Sequence, residues 1–285
     1  MGIRRSAMED YRRFSHETWE SVAPGWERWR DHREEATASV REWLLRALSP
    51  QAGQTVLELA AGSGEVGFGV APMLGKSGRL ISTDFSAAMV DAARRRGAQL
   101  GLDNVEYRVM DAEHIDLADD SVDGVLCRFG FMLMADAAAA LSETRRVLRP
   151  DGRLVLAVWA SLDRNPWAAA GVRMLVERGH VPPPDPSLPG PFSMGDAERL
   201  HALLEAAGFS AVHTEEMAVR FAFRDGDDYL RFGADTAGPF ASAIRALSAA
   251  ERQAIADHLF HNTFAPFATN DRYELPGLAL VTIAR

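Results

Sequence analysis

Cysteine occurs once in the 285 residues, at Cys127. A single thiol excludes an intrachain disulfide and any multi-cysteine metal site, and it fits a reducing compartment. Its setting, "VLC", reads as the buried end of a strand, so Cys127 is expected to be a small core residue and not a nucleophile. No apolar run approaches the roughly 20 residues that a membrane-spanning helix needs. The amino terminus carries arginines with no apolar segment behind them, so it does not read as a secretory signal. Its "MGIRRS" fits only the loose acylation pattern M-G-x-x-x-[ST]. Positive charge is in deficit: 31 Lys and Arg stand against 40 Asp and Glu, a formal net charge of −9. Such a surface does not attract a polyanion, which argues against nucleic acid as a partner. HExxH, HxxxH and cysteine-cluster patterns are missing, so no metal is expected. The composition points to a soluble, cytoplasmic chain, and nothing in it fixes an oligomeric state.

What is present is enough apolar residue for a large core, 47% of the chain. Residues 7–48 have helical periodicity, with Trp19, Val22, Trp26 and Trp29 along one stripe, and Pro24-Gly25 is expected to divide the region into two helices. From "TVLEL" (55–59) the pattern changes. Short apolar runs at 78–83, 105–110, 122–127 and 153–159 alternate with helical segments, as in βαβ units of a parallel sheet. Asp136 caps a helix over 136–148 that Pro150 and Asp151-Gly152 end. Six prolines crowd 180–191, a loop or arm, and an amphipathic helix over 196–208 stops at Gly208. Residues 211–223 and 272–284 read as a closing pair of strands around an aromatic-rich helical stretch. The expected fold is α/β: a Rossmann-like, seven-stranded, mostly parallel sheet with helices on both faces. A helical cover (1–49) precedes a core (50–285) with insertions near 161–195 and 225–270, after strands five and six.

The loop "AAGSGEVG" after the first strand contains G-x-G-x-x-G at Gly62, Gly64 and Gly67. In an open parallel sheet this loop faces the ligand, and glycine lets the backbone approach it. Two carboxylates argue against a dinucleotide. Glu65 at the first helical turn would repel a pyrophosphate. Glu58, at the end of the strand, joins it to make an acidic mouth suited to a cationic ligand. Asp84 ends strand two, where it can accept both hydroxyls of a ribose, though that placement fits any adenosine ligand, NAD included. Asp111 ends strand three, within reach of an adenine amine. Each acid taken singly also fits a solvated loop residue.

The order and spacing of four stretches resemble the class I S-adenosylmethionine-dependent methyltransferases, in particular the ubiquinone/menaquinone-biosynthesis-like small-molecule group. These are "VLELAAGSG", "TDFSAAMVDAA", "VMDAEHIDLADDSVDGVLCRFGFMLMAD" and "ETRRVLRPDGRLVLAVW", and the likeness covers about residues 50–160. The resemblance implies S-adenosyl-L-methionine as cofactor. It places Glu58 near the methionine ammonium, with Ala60, Gly62 and Gly64 under the methionine. Asp84 would hold the ribose, Phe85 and Met89 the adenine ring, and Asp111 and Ala112 its amine and edge. Arg128 and Phe129 would lie beside the sulfonium. Ala60 stands where the family usually has glycine, Asp151 alters its Pro-Gly-Gly turn, and Trp26 replaces a tyrosine over the cofactor.

Methyl transfer from a sulfonium is a displacement on an electrophile already activated by charge, so alignment and exclusion of water carry most of the work. A base is needed only when the acceptor must lose a proton. His16, His180 and His261 are candidates, His114 is too near the adenine side, and no catalytic residue is assigned. Trp19, Trp26, Trp167, Phe192, Phe232, Phe240, Phe260, Phe264 and Phe267 could line an apolar pocket for a small aromatic, polyketide, quinone or isoprenoid-like acceptor, methylated on carbon or oxygen. The alternatives are an NAD(P)-dependent oxidoreductase and a non-catalytic cofactor-binding member of the fold.

Overall fold

The computed structural model describes residues 2–185 and 188–285. Met1 of the acylation pattern and Pro186 and Ser187 of the proline-rich arm lie outside the described residues. Three helices open the chain: α1 (Gly2–Arg28), α2 (Arg30–Ala36) and α3 (Ala38–Leu48). Next come β1 (Thr55–Glu58), α4 (Glu65–Leu74), β2 (Arg79–Asp84), α5 (Ala87–Gln99), β3 (Val105–Val109), β4 (Val122–Arg128), α6 (Ala137–Val147) and β5 (Leu148–Trp159). The remainder is α7 (Pro166–Glu177), α8 (Ala197–Ala206), β6 (His213–Phe223), α9 (Gly226–Thr236), α10 (Ala241–Ala246), α11 (Ala249–His258) and β7 (Tyr273–Ala284).

The strands form one seven-stranded sheet in the order β3-β2-β1-β4-β5-β7-β6. The first five are mutually parallel, and β7 runs antiparallel between β5 and β6. Central strands covered on both faces need apolar residues at every position. Val56 and Leu57 of β1 and Val125, Leu126 and Cys127 of β4 are accordingly buried, whereas edge strand β3 mixes Val105 and Tyr107 with the half-exposed Glu106 and Arg108. The chain passes outward through β1, β2 and β3, then returns to place β4 on the other side of β1. That reversal opens a crevice at the carboxyl ends of β1 and β4, where an open α/β sheet binds its ligand. No described helix is long and apolar enough to cross a membrane.

Local signals set most boundaries. The side chains of Ser86, Asp136 and Asp196 accept the N–H groups of Met89, Ala139 and Arg199 at the starts of α5, α6 and α8. Two expectations fail. The helix does not break at Pro24-Gly25; α1 continues to Arg28, and the breaks fall at Trp29 and Thr37. Gly25 is there for close approach: a Cβ would collide with the carbonyl of Asp235. Arg28 and the Trp29 indole both donate to the Asp235 carboxylate, which clamps the end of α1 onto α9. Pro150-Asp151-Gly152 does not separate α6 from the next strand either. β5 already pairs at Leu148, and the tripeptide forms an irregularity between the Val122–Leu148 and Gly124–Arg153 pairs.

Candidate functional site

One cavity of about 650 Å³ opens at the crevice. Of the residues singled out from the sequence, Glu58, Ala60, Gly62, Asp84, Phe85, Met89, Asp111, Ala112, Arg128 and Phe129 line it, and Gly64 does not. Gly64 instead turns the chain into α4 at φ +89, where a Cβ would strike the Phe68 ring. Gly62, at φ +56, faces the Trp26 ring. Gly67 makes room for Glu58: a Cβ would overlap the Glu58 carboxylate, which accepts the Gly67 N–H at 2.8 Å.

That carboxyl is buried beneath the glycine loop, with a second contact to the Ser82 hydroxyl at 3.2 Å. Desolvation pushes its pKa up to about 8, against the pull of the Gly67 N–H and Arg128. Glu58 is therefore largely neutral at pH 7 while the cavity holds no cation. Burial would also raise Glu65, but Arg33 and Arg128, with Arg30 and Ser63, hold it below the ordinary carboxylate value. Its oxygens meet Arg30 at 2.7 Å and Ser63 at 2.9 Å, and it does not line the cavity. Of the two acids expected at the mouth, Glu58 lines the cavity with its pKa raised by burial, and Glu65 lies outside the lining, paired with Arg30.

Asp84 is buried at the end of β2, and its carboxylate accepts the N–H of Gly62 at 2.9 Å and of Ser86 at 3.0 Å. Burial raises its pKa to about 6 despite these donors. Asp111 is more open and accepts the Glu113 N–H at 2.9 Å. Arg128 extends to Glu34 at 2.6 Å and Thr37 at 3.1 Å, which ties β4 to α2 and its C-terminal boundary. Phe129 holds a left-handed backbone at φ 61, fixed by its N–H to the Ala157 carbonyl at 2.7 Å. Ala60 is likewise at φ 49, the price of carrying a Cβ where glycine fits.

Helix α1 roofs the cavity. The Tyr11 hydroxyl donates to the Leu133 carbonyl at 2.9 Å, Arg12 pairs with the buried Glu113, and His16 meets Phe85 edge-on at 5.5 Å. His114, His180 and His261 do not line the cavity. The sequence reading missed Arg33 altogether. Its guanidinium is buried, lies 3.9 Å over the Trp26 ring, and donates to the Trp26 carbonyl at 3.0 Å and Ser63 at 3.4 Å. Among the described residues its Nε has no partner, and desolvation lowers its pKa to about 10. No motif marks an arginine on a pre-strand helix; only the folded chain brings it to the glycine loop.

Beyond Phe129 the cavity becomes an aromatic chamber. Trp167, Phe192, Phe232 and Phe240 line it as anticipated, with Trp19 and Trp26 on the cover side, while Phe260, Phe264 and Phe267 pack elsewhere. Trp159, Phe221 and Tyr229 join the wall, though as strand and helix-core residues they carried no sign of it. The Phe129 and Trp159 rings stack at 3.9 Å, only 10° from parallel.

The sequence pattern of a family described as a methyltransferase domain matches residues 56–152. The chain is 38% identical over 111 residues to a demethylmenaquinone methyltransferase of Clavibacter sepedonicus, covering 39% of this chain and 43% of the relative. It is 34% identical over 105 residues to a ubiquinone/menaquinone biosynthesis C-methyltransferase of Haemophilus ducreyi, 36% of this chain and 40% of that one. The match therefore spans less than half the length of either relative. The fold is also that of the YcgJ protein of Bacillus subtilis, at TM-score 0.57 and 20% identity over 87% of this chain and 97% of the other. Through this central segment, residues 56–152, the chain matches a methyltransferase domain and is similar to methyltransferases of ubiquinone and menaquinone biosynthesis.

Proposed function

We propose that the protein transfers a methyl group from S-adenosyl-L-methionine to a carbon or oxygen of a small, apolar or aromatic metabolite. The observation that carries this reading is a single cavity running from the glycine loop and Asp84 to the aromatic chamber. Displacement at a methyl group needs donor and acceptor in one water-poor space with the reacting atoms aligned. In this reading residues 1–49 cover the donor, and the segments 161–195 and 225–270 enclose the acceptor.

Asp84 keeps lone pairs free for ribose hydroxyls after accepting two backbone N–H groups. Phe85 and Met89 flank the adenine, and Asp111 and Ala112 meet its amine and edge. The backbone of Ala60 and Gly62 lies along the methionine, and Gly64 acts by directing α4. Glu58 answers the methionine ammonium and ionises when that charge arrives. Arg33, a buried cation with no carboxylate within ion-pair distance among the described residues, suits the methionine carboxylate. Arg128 and Phe129 stand at the sulfonium. The dinucleotide alternative is disfavoured because the Gly67 N–H at the start of α4, which a pyrophosphate would need, is bonded to Glu58.

Calorimetry with S-adenosylhomocysteine, with NADH as the comparison, tests the reading. Binding of the former is expected, weakened about tenfold or more by Asp84→Asn. Heat with NADH and none with S-adenosylhomocysteine overturns it.

A further inference from the structure

The acceptor chamber is short of proton acceptors. Tyr229, the titratable group on its α9 wall, donates its hydroxyl to the Trp167 carbonyl at 2.9 Å, and burial raises its pKa far above neutrality. On the donor side every acid is engaged. Glu58 holds the Gly67 N–H and Asp84 those of Gly62 and Ser86. Asp111 holds the Glu113 N–H, and Glu113 itself pairs with Arg12 and accepts the Asp136 N–H. On the roof, Tyr11 is bonded to Leu133, Arg12 and Arg13 are cations, and His16 abuts Phe85. From α2 and β4 the cavity receives two more guanidiniums, Arg33 and Arg128.

The chamber wall does hold an unused donor. The Trp167 indole is committed to Asn165 at 3.0 Å. Trp159 is 7% exposed and lines the cavity, yet its Nε1–H has no hydrogen-bond partner among the described residues and is not sealed among apolar atoms. A buried indole N–H ordinarily finds an acceptor. Its ring lies flat against Phe129, the residue beside the expected sulfonium.

Resting on the methyltransferase reading, the geometry points to Trp159 Nε1–H as the donor that receives the acceptor's oxygen as an oxyanion, the acceptor being a phenol or enol that ionises without an enzyme base. The acceptor O–H bond breaks first and its proton goes to water. The oxyanion, or a ring carbon conjugated with it, then forms the bond to the methyl group. The S–CH3 bond breaks, its electron pair stays on sulfur, and the sulfonium becomes a neutral thioether. With a carbon nucleophile, the displaced ring proton leaves afterwards, again to water. An N–H donor to an ionised oxygen is stronger than one to a neutral hydroxyl, so Trp159 favours the ionised acceptor.

The test uses 4-nitro-1-naphthol, whose anion absorbs in the visible, bound to the full chain loaded with S-adenosylhomocysteine. The bound probe is expected to ionise at lower pH than free probe. In Trp159→Phe, which keeps the ring stack, ionisation should move up by about one pH unit, a tenfold smaller ionised fraction at low pH. Affinity for S-adenosylhomocysteine should be unchanged in that variant. Equal ionisation of the bound probe in both proteins overturns the proposal, as does an unlowered value in the wild type or failure of the probe to bind it. Failure of S-adenosylhomocysteine itself to bind sinks the methyltransferase reading, and this inference with it.

Discussion

Replacing Glu58 by glutamine should make the protein more stable in alkaline solution and leave it nearly unchanged in acid. The wild-type carboxyl has an ordinary value of 4.5 and titrates near 8 in the folded chain, raised chiefly by burial. A folded-state pKa above the unfolded one means that the folded form holds the proton more tightly. Its contribution is therefore complete below pH 4.5 and is lost as the pH climbs through 8. At about 1.4 kcal/mol per pH unit, the full loss has a ceiling of about 5 kcal/mol, and water entering beneath the glycine loop would reduce it. Glutamine keeps an oxygen for the Gly67 N–H, and its amide can donate to the Ser82 hydroxyl, so it stands in for the protonated acid. Asp84, raised to about 6, weakens both proteins alike and drops out of the comparison. Urea unfolding of both proteins at pH 5 and pH 9 is the assay. The variant should match the wild type within about 1 kcal/mol at pH 5 and exceed it by about 2–5 kcal/mol at pH 9. A stability gap that is the same at both pH values refutes the assignment of a neutral Glu58.

Two further substitutions probe the same loop. Arg33→Met should weaken S-adenosylhomocysteine about tenfold or more in calorimetry while leaving 5′-methylthioadenosine, which lacks the amino-acid end, nearly unaffected; equal losses for both ligands would contradict a carboxylate role. Ala60→Gly relieves a Cβ held at φ 49, worth about 1–2 kcal/mol, against a smaller gain in unfolded-chain freedom. Thermal or urea unfolding should show a net stabilisation of about 0.5–1 kcal/mol, and a clear loss would show that the Ala60 methyl packs more than it strains.

The sheet was legible because its central strands have one physical job. Runs such as Val56-Leu57 and Leu154-Val155-Leu156 must be apolar on both faces, and the glycines between strand and helix mark the turns. The strand-end acids were legible for the same reason: position in a parallel sheet fixes which residues face the crevice. What sequence pattern cannot give is the state of a side chain. Glu58 and Glu65 look alike as letters, yet one is buried under an amide and the other is ringed by arginines. Pro24-Gly25 read as a helix break because the partner that needs Gly25, the Asp235 backbone, lies 210 positions away. Trp159 and Phe221 read as core because a residue that lines a cavity and one that fills a core have the same hydropathy. The wall of the chamber comes from distant strands and helices, and no local spacing announces it.

The position of β7 has a consequence for how the molecule comes to be. Strand β6 touches the sheet solely through β7, pairing along its whole length from His213–Ile283 to Phe223–Tyr273. During synthesis, every donor-facing residue on β1, β2 and β4 has left the ribosome while β6 still has no neighbour to lie against. Phe221 can join its wall after residues 273–284 have slotted between two waiting strands. A nascent chain thus acquires the half of the crevice that faces the nucleoside well before the half that faces the metabolite, and until the final insertion the open flanks of β5 and β6 are the surfaces a folding chaperone would have to shield.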